Sequence, residues 1–387
     1  MIEIVDDESA RFWLSQQDRQ TRVRFVARMA LRSFPAAIGE APFDQENTLR
    51  LLHHLLIATV ASHDLGVAKK AARFAFGGVN YAGSVQQIYN DQLFFSSTHP
   101  NQEQVLYDDE QPPPGSLRRE VAENVISNAL AWGVGFREPD FSVERGGGFW
   151  ELAWLAGGEN AAKLAKSDAA ALSEWTPLWD VVGRPNNIMA DYSNLDDFFD
   201  SDRSVWSFWQ KWFSAIHDGK PLPWDLSGLI VSSLSDQDWK SGPAHVALEI
   251  EKIEALFSVR QSLSELEKDR SAVFSNSRLG IGGNNPPKEV ELPSAIQDNY
   301  AIIWAAVDEI SEQAEAEEPN KSLVLSALKK LTEALSSCLS WVGQKADLAV
   351  DTVIKWSIPA TGGYFVLNPS KFQALIEAVK NWSAILP

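Results

Sequence analysis

Large apolar side chains recur at spacings of three and four residues through most of this sequence. The best-defined stretch runs from Ser201 to His217, where Trp206, Trp209, Phe213 and Ile216 fall on one face of a helix. Because a helix turns once every 3.6 residues, this spacing builds a continuous buried stripe. Alternating patterns of the kind that strands need are scarce. The sequence therefore predicts an all-α fold.

The aromatic residues of the chain indicate packing rather than polar contacts. The 387 residues include 15 Trp and 19 Phe but only 6 Tyr. Indole rings also hold cations and nucleobases, so a ligand cage is the alternative for some of the tryptophans. The helical spacing of Trp206, Trp209 and Phe213 favours the core.

The net charge of the chain argues against nucleic acid and anionic membranes as partners. At a formal net charge of -18, long-range electrostatics repel phosphate groups. The densest group of basic residues lies in one predicted helix. These residues are spread too far around the helix to form a single stripe, so we interpret the group as a solvated helix face. That group is Arg19, Arg22, Arg24, Arg28 and Arg32.

Cysteine usage and the N-terminal residues favour a cytoplasmic protein. Cys338 is the only cysteine, so neither an intrachain disulfide nor a multi-cysteine zinc site is expected. Its position between Leu335 and Leu339 on a helix indicates a small core residue. The acidic first residues do not resemble a signal peptide, and no apolar run is long enough for a membrane span.

Several breaks divide the predicted helices. We expect one helix from Trp13 to Leu31, ending before Pro35, because the residue before a proline avoids helical geometry. Asp44 or Asn47 is expected to cap the next helix. Further helices are predicted across 67–76, 117–132 and 346–356, with a proline-rich loop at 98–117.

A Gly, Asn and Pro-rich stretch provides the clearest domain boundary. Residues 273–295 combine flexible glycines with an Asn-Pro-Pro turn, which indicates a linker. The sequence thus predicts a Trp-rich helical domain at 1–272 and a smaller C-terminal helical module at 296–387. In the module, Asn368 is expected to cap a final helix that has Pro369 in its first turn.

The same stretch carries a family resemblance. Gly280-Ile-Gly-Gly-Asn-Asn-Pro-Pro287 resembles the GIGHNNPP signature of a group of bacterial proteins, seen mainly in alphaproteobacteria, with Gly283 in place of the usual histidine. The segments 26–32, 206–213 and 238–243 resemble the same group. The resemblance implies an all-helical bacterial cytoplasmic protein, and it carries no known activity.

One short motif suggests catalysis. His63 followed by Asp64 resembles the paired ligands of metal-dependent HD phosphohydrolases, in which a second histidine and a distant aspartate complete the metal shell. His53 or His54 is the candidate for the second histidine, and Asp108 or Asp109 for the distant aspartate. The alternative is a helix end with both residues at the surface. No Gly-x-Ser-x-Gly elbow and no complete phosphate-binding loop accompanies the motif.

The leading functional hypothesis is a non-enzymatic helical interaction protein with no cofactor. Its C-terminal helices are expected to mediate self-association, as a homo-oligomer, or binding to a partner protein. The candidate interaction residues are Trp304, Leu328, Leu335, Trp341, Trp356 and Trp382. Two alternatives remain open, namely the metal phosphohydrolase and a cytoplasmic effector or accessory protein of a bacterial conflict system.

Overall fold

A computed structural model describes most of the predicted helices. The described residues are 7–64, 66, 119, 122–123, 126–127, 129–130, 164, 167–168, 175–179, 189–276, 293–345, 354–358 and 363–387. The predicted helix at 67–76, the loop at 98–117 and the GIGGNNPP stretch lie outside these residues. Within the predicted helix at 117–132, every described residue is helical.

The fold is all-α, as predicted, with one short antiparallel hairpin. The helices of the described part are α1 (Asp7–Ser15), α2 (Arg19–Ile38), α3 (Gln45–His63), α4 (Met189–Ser201), α5 (Arg203–His217), α6 (Trp224–Ser233), α7 (Asp236–Lys240), α8 (Pro243–Asn276), α9 (Ser294–Glu315), α10 (Lys321–Lys345) and α11 (Pro369–Ile385). Strands β1 (Ile354–Ile358) and β2 (Gly363–Leu367) pair with Trp356 opposite Phe365. None of the described helices has both the length and the hydropathy of a membrane span.

The chain divides into two compact units, Met1–Ile250 and Glu251–Pro387. The second unit therefore includes most of α8, whose Val259 and Leu266 belong to the core of that unit. The predicted linker at 273–295 lies mostly outside the described residues. The predicted boundary of the first domain at residue 272 stays a prediction.

The first two helices differ from the single helix predicted between Trp13 and Leu31. The chain leaves helical geometry after Ser15, and Asp18 starts α2 by accepting a hydrogen bond from the Thr21 N–H at 2.8 Å. This cap satisfies an otherwise unpaired N–H at the start of the helix. A capping aspartate within an apolar periodic stretch therefore divides the predicted helix in two.

The prediction that this helix ends before Pro35 was also wrong. Pro35 lies inside α2, which continues to Ile38 and ends at Gly39 with φ +72°. A proline in a helix costs about 3 kcal/mol through the lost hydrogen bond and a steric clash. Phe34 and Ile38 on either side are fully buried, so packing of this last turn offsets the cost.

Tryptophans form part of the core of the first unit. Trp206, Trp209 and Trp212 of α5 are all within 1% of complete burial. Trp206 packs against Phe198 of α4 with ring centroids 4.5 Å apart, and Trp209 meets Trp212 edge to face at 5.9 Å. Tilted and edge-to-face pairs are the favoured arrangements of aromatic rings. The predicted aromatic stripe of α5 is therefore a core stripe.

The predicted end of α5 at His217 is confirmed. Gly219 has φ +71°, its N–H donates to Ile216 at 3.1 Å, and the Lys220 N–H donates to Ala215 at 2.8 Å. These two bonds form a Schellman motif, which satisfies carbonyls at a helix end and requires the left-handed conformation. Glycine adopts that conformation without steric cost.

The second unit is a helical cluster closed by α11. Helices α9 and α10 make the largest contact, and α11 packs beside α10. Its core includes Ile303, Val324, Leu331, Cys338 and Phe372. Pro369 occupies the first turn of α11, and Asn368 stands at the N-cap without a side-chain capping bond. The expected core position of Cys338 is confirmed.

The predicted helix at 346–356 is replaced at its C-terminal end by β1. Residues 354–358 carry Ile354, Trp356 and Ile358 in alternation with Lys355 and Ser357, a period of two rather than 3.6. The alternation is only five residues long. The partner strand is β2, which begins at Gly363.

Candidate functional site

Two arginines of the predicted solvated face are buried around one aspartate. Arg28, Arg32 and Asp168 are each at most 2% exposed. The Nε of Arg28 donates to Oδ1 of Asp168 at 2.7 Å, and the Nη1 of Arg32 donates to Oδ2 at 2.6 Å. The interpretation as a solvated face was therefore wrong for these two arginines, because a carboxylate distant in sequence compensates their charge.

The electrostatics of this cluster follow from burial and pairing. Burial alone would raise the pKa of Asp168, but the charges and hydrogen bonds of Arg32 and Arg28 outweigh it and lower that pKa. Burial also lowers the pKa of Arg28, against the opposing effect of Asp168. The carboxylate therefore stays ionised, and the cluster is held together by charge-assisted hydrogen bonds.

The same arginines bind the backbone of residues 175–179. Arg28 donates to the carbonyls of Thr176 and Pro177 at 2.9 and 3.1 Å, and Arg32 donates to Leu178 at 2.9 Å. The Leu178 N–H in turn donates to the His217 carbonyl of α5 at 2.9 Å. The cluster thus fixes a segment against the end of α5, which is a structural role.

His53 and His54 lie in the core of the first unit. The His53 ring stacks on Trp239 with centroids 3.7 Å apart and planes 13° apart. Burial lowers the pKa of His53 to about 3. Burial, followed by the charges of Arg50 and His53, lowers the pKa of His54 as well. Both rings are therefore neutral in the folded protein near neutral pH.

His63 and Asp64 lie at the exposed end of α3, away from that pair. The His63 ring stacks on Trp224 at 4.7 Å, and Asp64 accepts a hydrogen bond from the Gly66 N–H at 2.7 Å. His54 precedes His63 by nine residues in the same helix, a rise of about 13 Å. Ligands of one metal ion lie about 2 Å from it. Helix α3 therefore does not bring His54, His63 and Asp64 together.

The described residues contain no group of three or more His, Cys, Asp or Glu side chains that is suited to hold a metal ion. Asp108 and Asp109 lie outside those residues. One polar cluster was missed by sequence reasoning: Ser235 Oγ lies 2.7 Å from Asp238 Oδ2, and His245 Nε2 lies 2.9 Å from Asp238 Oδ1.

The order of that cluster does not suit nucleophilic catalysis. A catalytic triad places the histidine between the serine and the acid, so that the imidazole takes the serine proton. Here Asp238 is in the middle, and its side chain also accepts from the Ser235 N–H as part of a capping box. The hydrogen bonds of Ser235 and His245 lower the pKa of Asp238 to about 2. The cluster caps α7 and ties it to α8.

The predicted interaction residues are largely part of the second core. Leu328, Leu335 and Trp382 are at most 9% exposed, while Trp304 and Trp341 are half-buried. Trp356 lies in β1, and its side chain lies outside the described part. Trp304 packs edge to face on Phe372 at 5.8 Å. Leu328, Leu335 and Trp382 belong to the core of the second unit, and Trp304 and Trp341 pack against that core.

A groove opens between α10 and α11 on the surface of this unit. It has a volume of about 620 Å³. Two short stripes line it: Thr332, Leu335, Ser336, Leu339 and Ser340 from α10, and Gln373, Ile376, Glu377 and Lys380 from α11. Both stripes follow the three and four residue spacing of a single helix face.

The groove has an apolar floor with polar side chains at its edges. Leu335 and Ile376 are mostly buried beneath it, and Thr332 and Ser336 stand at its edge. The Thr332 hydroxyl already donates to the Leu328 carbonyl at 2.8 Å, so this hydroxyl does not need a ligand as its hydrogen-bond acceptor. The floor of the groove therefore offers apolar contact to a ligand.

An exposed leucine extends the apolar stripe of α10. Leu325 is 46% exposed and precedes Thr332 by seven residues, which places both on the same helix face. From Leu325 to Leu339 the stripe is about 21 Å long. The sequence signal for this surface was the placement of a small hydroxyl residue directly after each of two leucines, Ser336 after Leu335 and Ser340 after Leu339.

Cys338 does not contribute a reactive group to the groove. It is fully buried, and burial raises the pKa of its thiol to about 11. A thiol is a nucleophile only as the thiolate, so the side chain is unreactive near neutral pH.

Comparisons of the chain with protein-family models, with curated proteins and with solved structures give no match in any of the three.

Proposed function

We propose that the protein is a binding protein whose groove between α10 and α11 receives an amphipathic helix of a partner protein. The observation that carries the proposal is the groove itself, which two helical stripes line over an apolar floor. Amphipathic helices bind such grooves through apolar residues at positions i, i+3, i+4 and i+7.

The dimensions of the groove support a helical occupant. The stripe from Thr332 to Ser340 is about 12 Å long, or a little over two turns, and Leu325 adds two more turns. Packed helix axes approach to about 8 to 10 Å, at the lower end when the contacting side chains are small. Ser336 and Ser340 allow such an approach, whereas the leucines beside them supply the apolar contact.

A role in binding rather than catalysis also agrees with the placement of the polar groups. The buried charges of Arg28, Arg32 and Asp168 are satisfied by one another and by backbone carbonyls. His54 and His63 are separated along α3. These observations support the interaction hypothesis over the phosphohydrolase alternative.

The test is selection of binders for the full-length protein from a displayed library of single-helix peptides about 20 residues long, with apolar residues at i, i+3, i+4 and i+7. Ser336→Arg fills the groove, and Ser337→Arg is the matched control, since Ser337 is exposed on another face of α10. We expect selected peptides to bind the wild type and the Ser337→Arg variant, and to lose at least about tenfold in affinity for Ser336→Arg.

Two outcomes would contradict the proposal. One is the recovery of no peptide that distinguishes the two variants. The other is self-association of the wild-type protein in sedimentation velocity that Ser336→Arg abolishes, because the groove would then be filled by a second copy of the chain. Urea unfolding of both variants shows whether the substitutions leave the fold intact, as exposed substitutions normally do.

A further inference from the structure

The groove between α10 and α11 has a different charge at each of its two ends. The Lys321 Nζ donates to the Leu386 carbonyl at 2.7 Å, so the start of α10 lies beside the end of α11 and the two helices are antiparallel. Lys329 and Lys380 lie toward that end, which we name the lysine end. Ser340 and Gln373 line the opposite end and carry no charge.

The two lysines of this end are available to a ligand. Their side chains are 76% and 53% exposed, and among the residues that the structure describes each forms an ion pair with a glutamate of its own helix: Lys329 with Glu333 at 4.0 Å and Lys380 with Glu377 at 2.8 Å. Exposed pairs of this kind contribute about 0 to 1 kcal/mol. Both ammonium groups can therefore turn to an incoming carboxylate at little cost.

The charged side chains around the groove follow a fixed order along its length. Glu333 and Glu377 each lie one turn from their lysine, toward the middle of the groove. Lys330 and Lys371 point elsewhere, since they pair with Glu309 of α9 and with Asp269 of α8. From the lysine end, a ligand thus meets two cations, then two anions, then the uncharged side chains of Ser340 and Gln373.

Resting on the proposed function, we infer that the groove binds its helix in one direction, with an acidic C-terminal turn at the lysine end. A helix has partial negative charge at its C-terminus, and cations stabilise that end. Acidic residues in the last turn weaken an isolated helix, because they add to this negative charge. When the bound helix lies parallel to α11, Lys329 and Lys380 compensate both the partial negative charge of its C-terminus and the charge of its acidic residues.

The experiment compares two synthetic peptides that share the apolar residues of a selected binder and differ in polar sequence. Both have blocked ends and equal composition; one carries its glutamates in the last turn and the other in the first turn. We expect the first peptide to bind the full-length protein about three to ten times more tightly in low salt. Lys329→Gln with Lys380→Gln should remove the preference, and Lys268→Gln, an exposed lysine of α8, should keep it.

The design separates this inference from the proposed function. Glutamates in the first turn make the better isolated helix. If the lysines played no part, the second peptide would bind equally or more tightly, and that result would overturn the inference. A third peptide without charged residues reports on the groove alone. If the uncharged peptide binds the wild type and Ser336→Arg removes that binding, the proposed function stands. If none of the three peptides binds, both the proposed function and this inference are overturned.

Discussion

Arg32 and Asp168 form a bidentate ion pair in the core of the first unit. Nη1 of Arg32 lies 2.6 Å from Oδ2 of the carboxylate, and Nη2 lies 2.6 Å from Oδ1. The side chains are 1% and 0% exposed, so water does not hydrate the two charges. Arg28 shares the same carboxylate at 2.7 Å, so one aspartate compensates two buried guanidinium groups.

Replacing the shared carboxylate should strongly destabilise the protein. Asp168→Asn leaves two buried cations without a counter-charge, and we expect the free energy of unfolding to fall by about 3 to 5 kcal/mol. Urea unfolding followed by tryptophan fluorescence measures the change. Glu123→Gln is the matched control, because it removes a partly exposed pair with Arg119 and should cost less than about 1 kcal/mol. Equal losses in the two variants would contradict a central role for the cluster.

The buried histidines predict how stability depends on pH. The pKa of His53 is about 3 in the folded protein against 6.5 when unfolded, so the unfolded chain binds more protons between these values. The contribution of His53 is therefore complete above pH 6.5 and is lost as pH falls toward 3. The slope is at most about 1.4 kcal/mol per pH unit for each such histidine, and His54 shifts in the same direction.

Urea unfolding between pH 7.5 and pH 4.5 measures this slope. His53→Phe keeps a ring to stack on Trp239 but cannot titrate, so it should reduce the slope. His63→Phe is the control, because His63 is exposed at the end of α3 and stacks on Trp224. A slope that His53→Phe leaves unchanged would show that the ring is not buried as described.

Gly219 should tolerate no side chain. A Cβ there would lie 2.4 Å from the Pro177 nitrogen and 2.6 Å from the Thr176 carbonyl carbon, in addition to the strain of φ +71°. Gly242 has φ +92° with open space around it, and it provides a comparison for strain without a clash. We expect Gly242→Ala to cost about 1 kcal/mol and Gly219→Ala clearly more, as measured by thermal unfolding. A similar cost at both positions would argue against the close approach of residues 175–179.

Local features of the fold were readable from the sequence because they depend on nearby residues. The buried stripe of α5 and its end at His217 both follow from the spacing of residues within a few positions. The cap Asp44 was identified for the same reason, whereas Asn368 occupies the predicted N-cap position of α11 without a side-chain capping bond.

The compensation of buried charges by residues distant in sequence could not be predicted in this way. Arg32 and Asp168 are 136 positions apart, so nothing near Arg32 in the sequence indicates that its charge is neutralised. Pro35 also lies within α2 because burial of the last turn outweighs a local rule. The groove depends on how α10 and α11 lie side by side, which spacing within one helix does not determine.

Cys338 should be unreactive in the folded protein. It is fully buried, and burial raises its thiol pKa to about 11. A disulfide reagent such as DTNB should therefore modify it only after denaturation, with a rate in buffer at least about a hundredfold lower. Rapid modification of the native protein would contradict the described core of the second unit.

The single most direct measurement of the proposed binding uses a small fluorine label in the groove. Ser336→Cys introduces a reactive exposed thiol, and a trifluoromethyl group attached there reports its surroundings by ¹⁹F NMR. On addition of a selected amphipathic peptide, we expect a saturable shift of the label at position 336 and none for the same label introduced by Ser337→Cys. Equal responses at the two positions, or none at 336 while the peptide binds, would contradict a helix seated between α10 and α11.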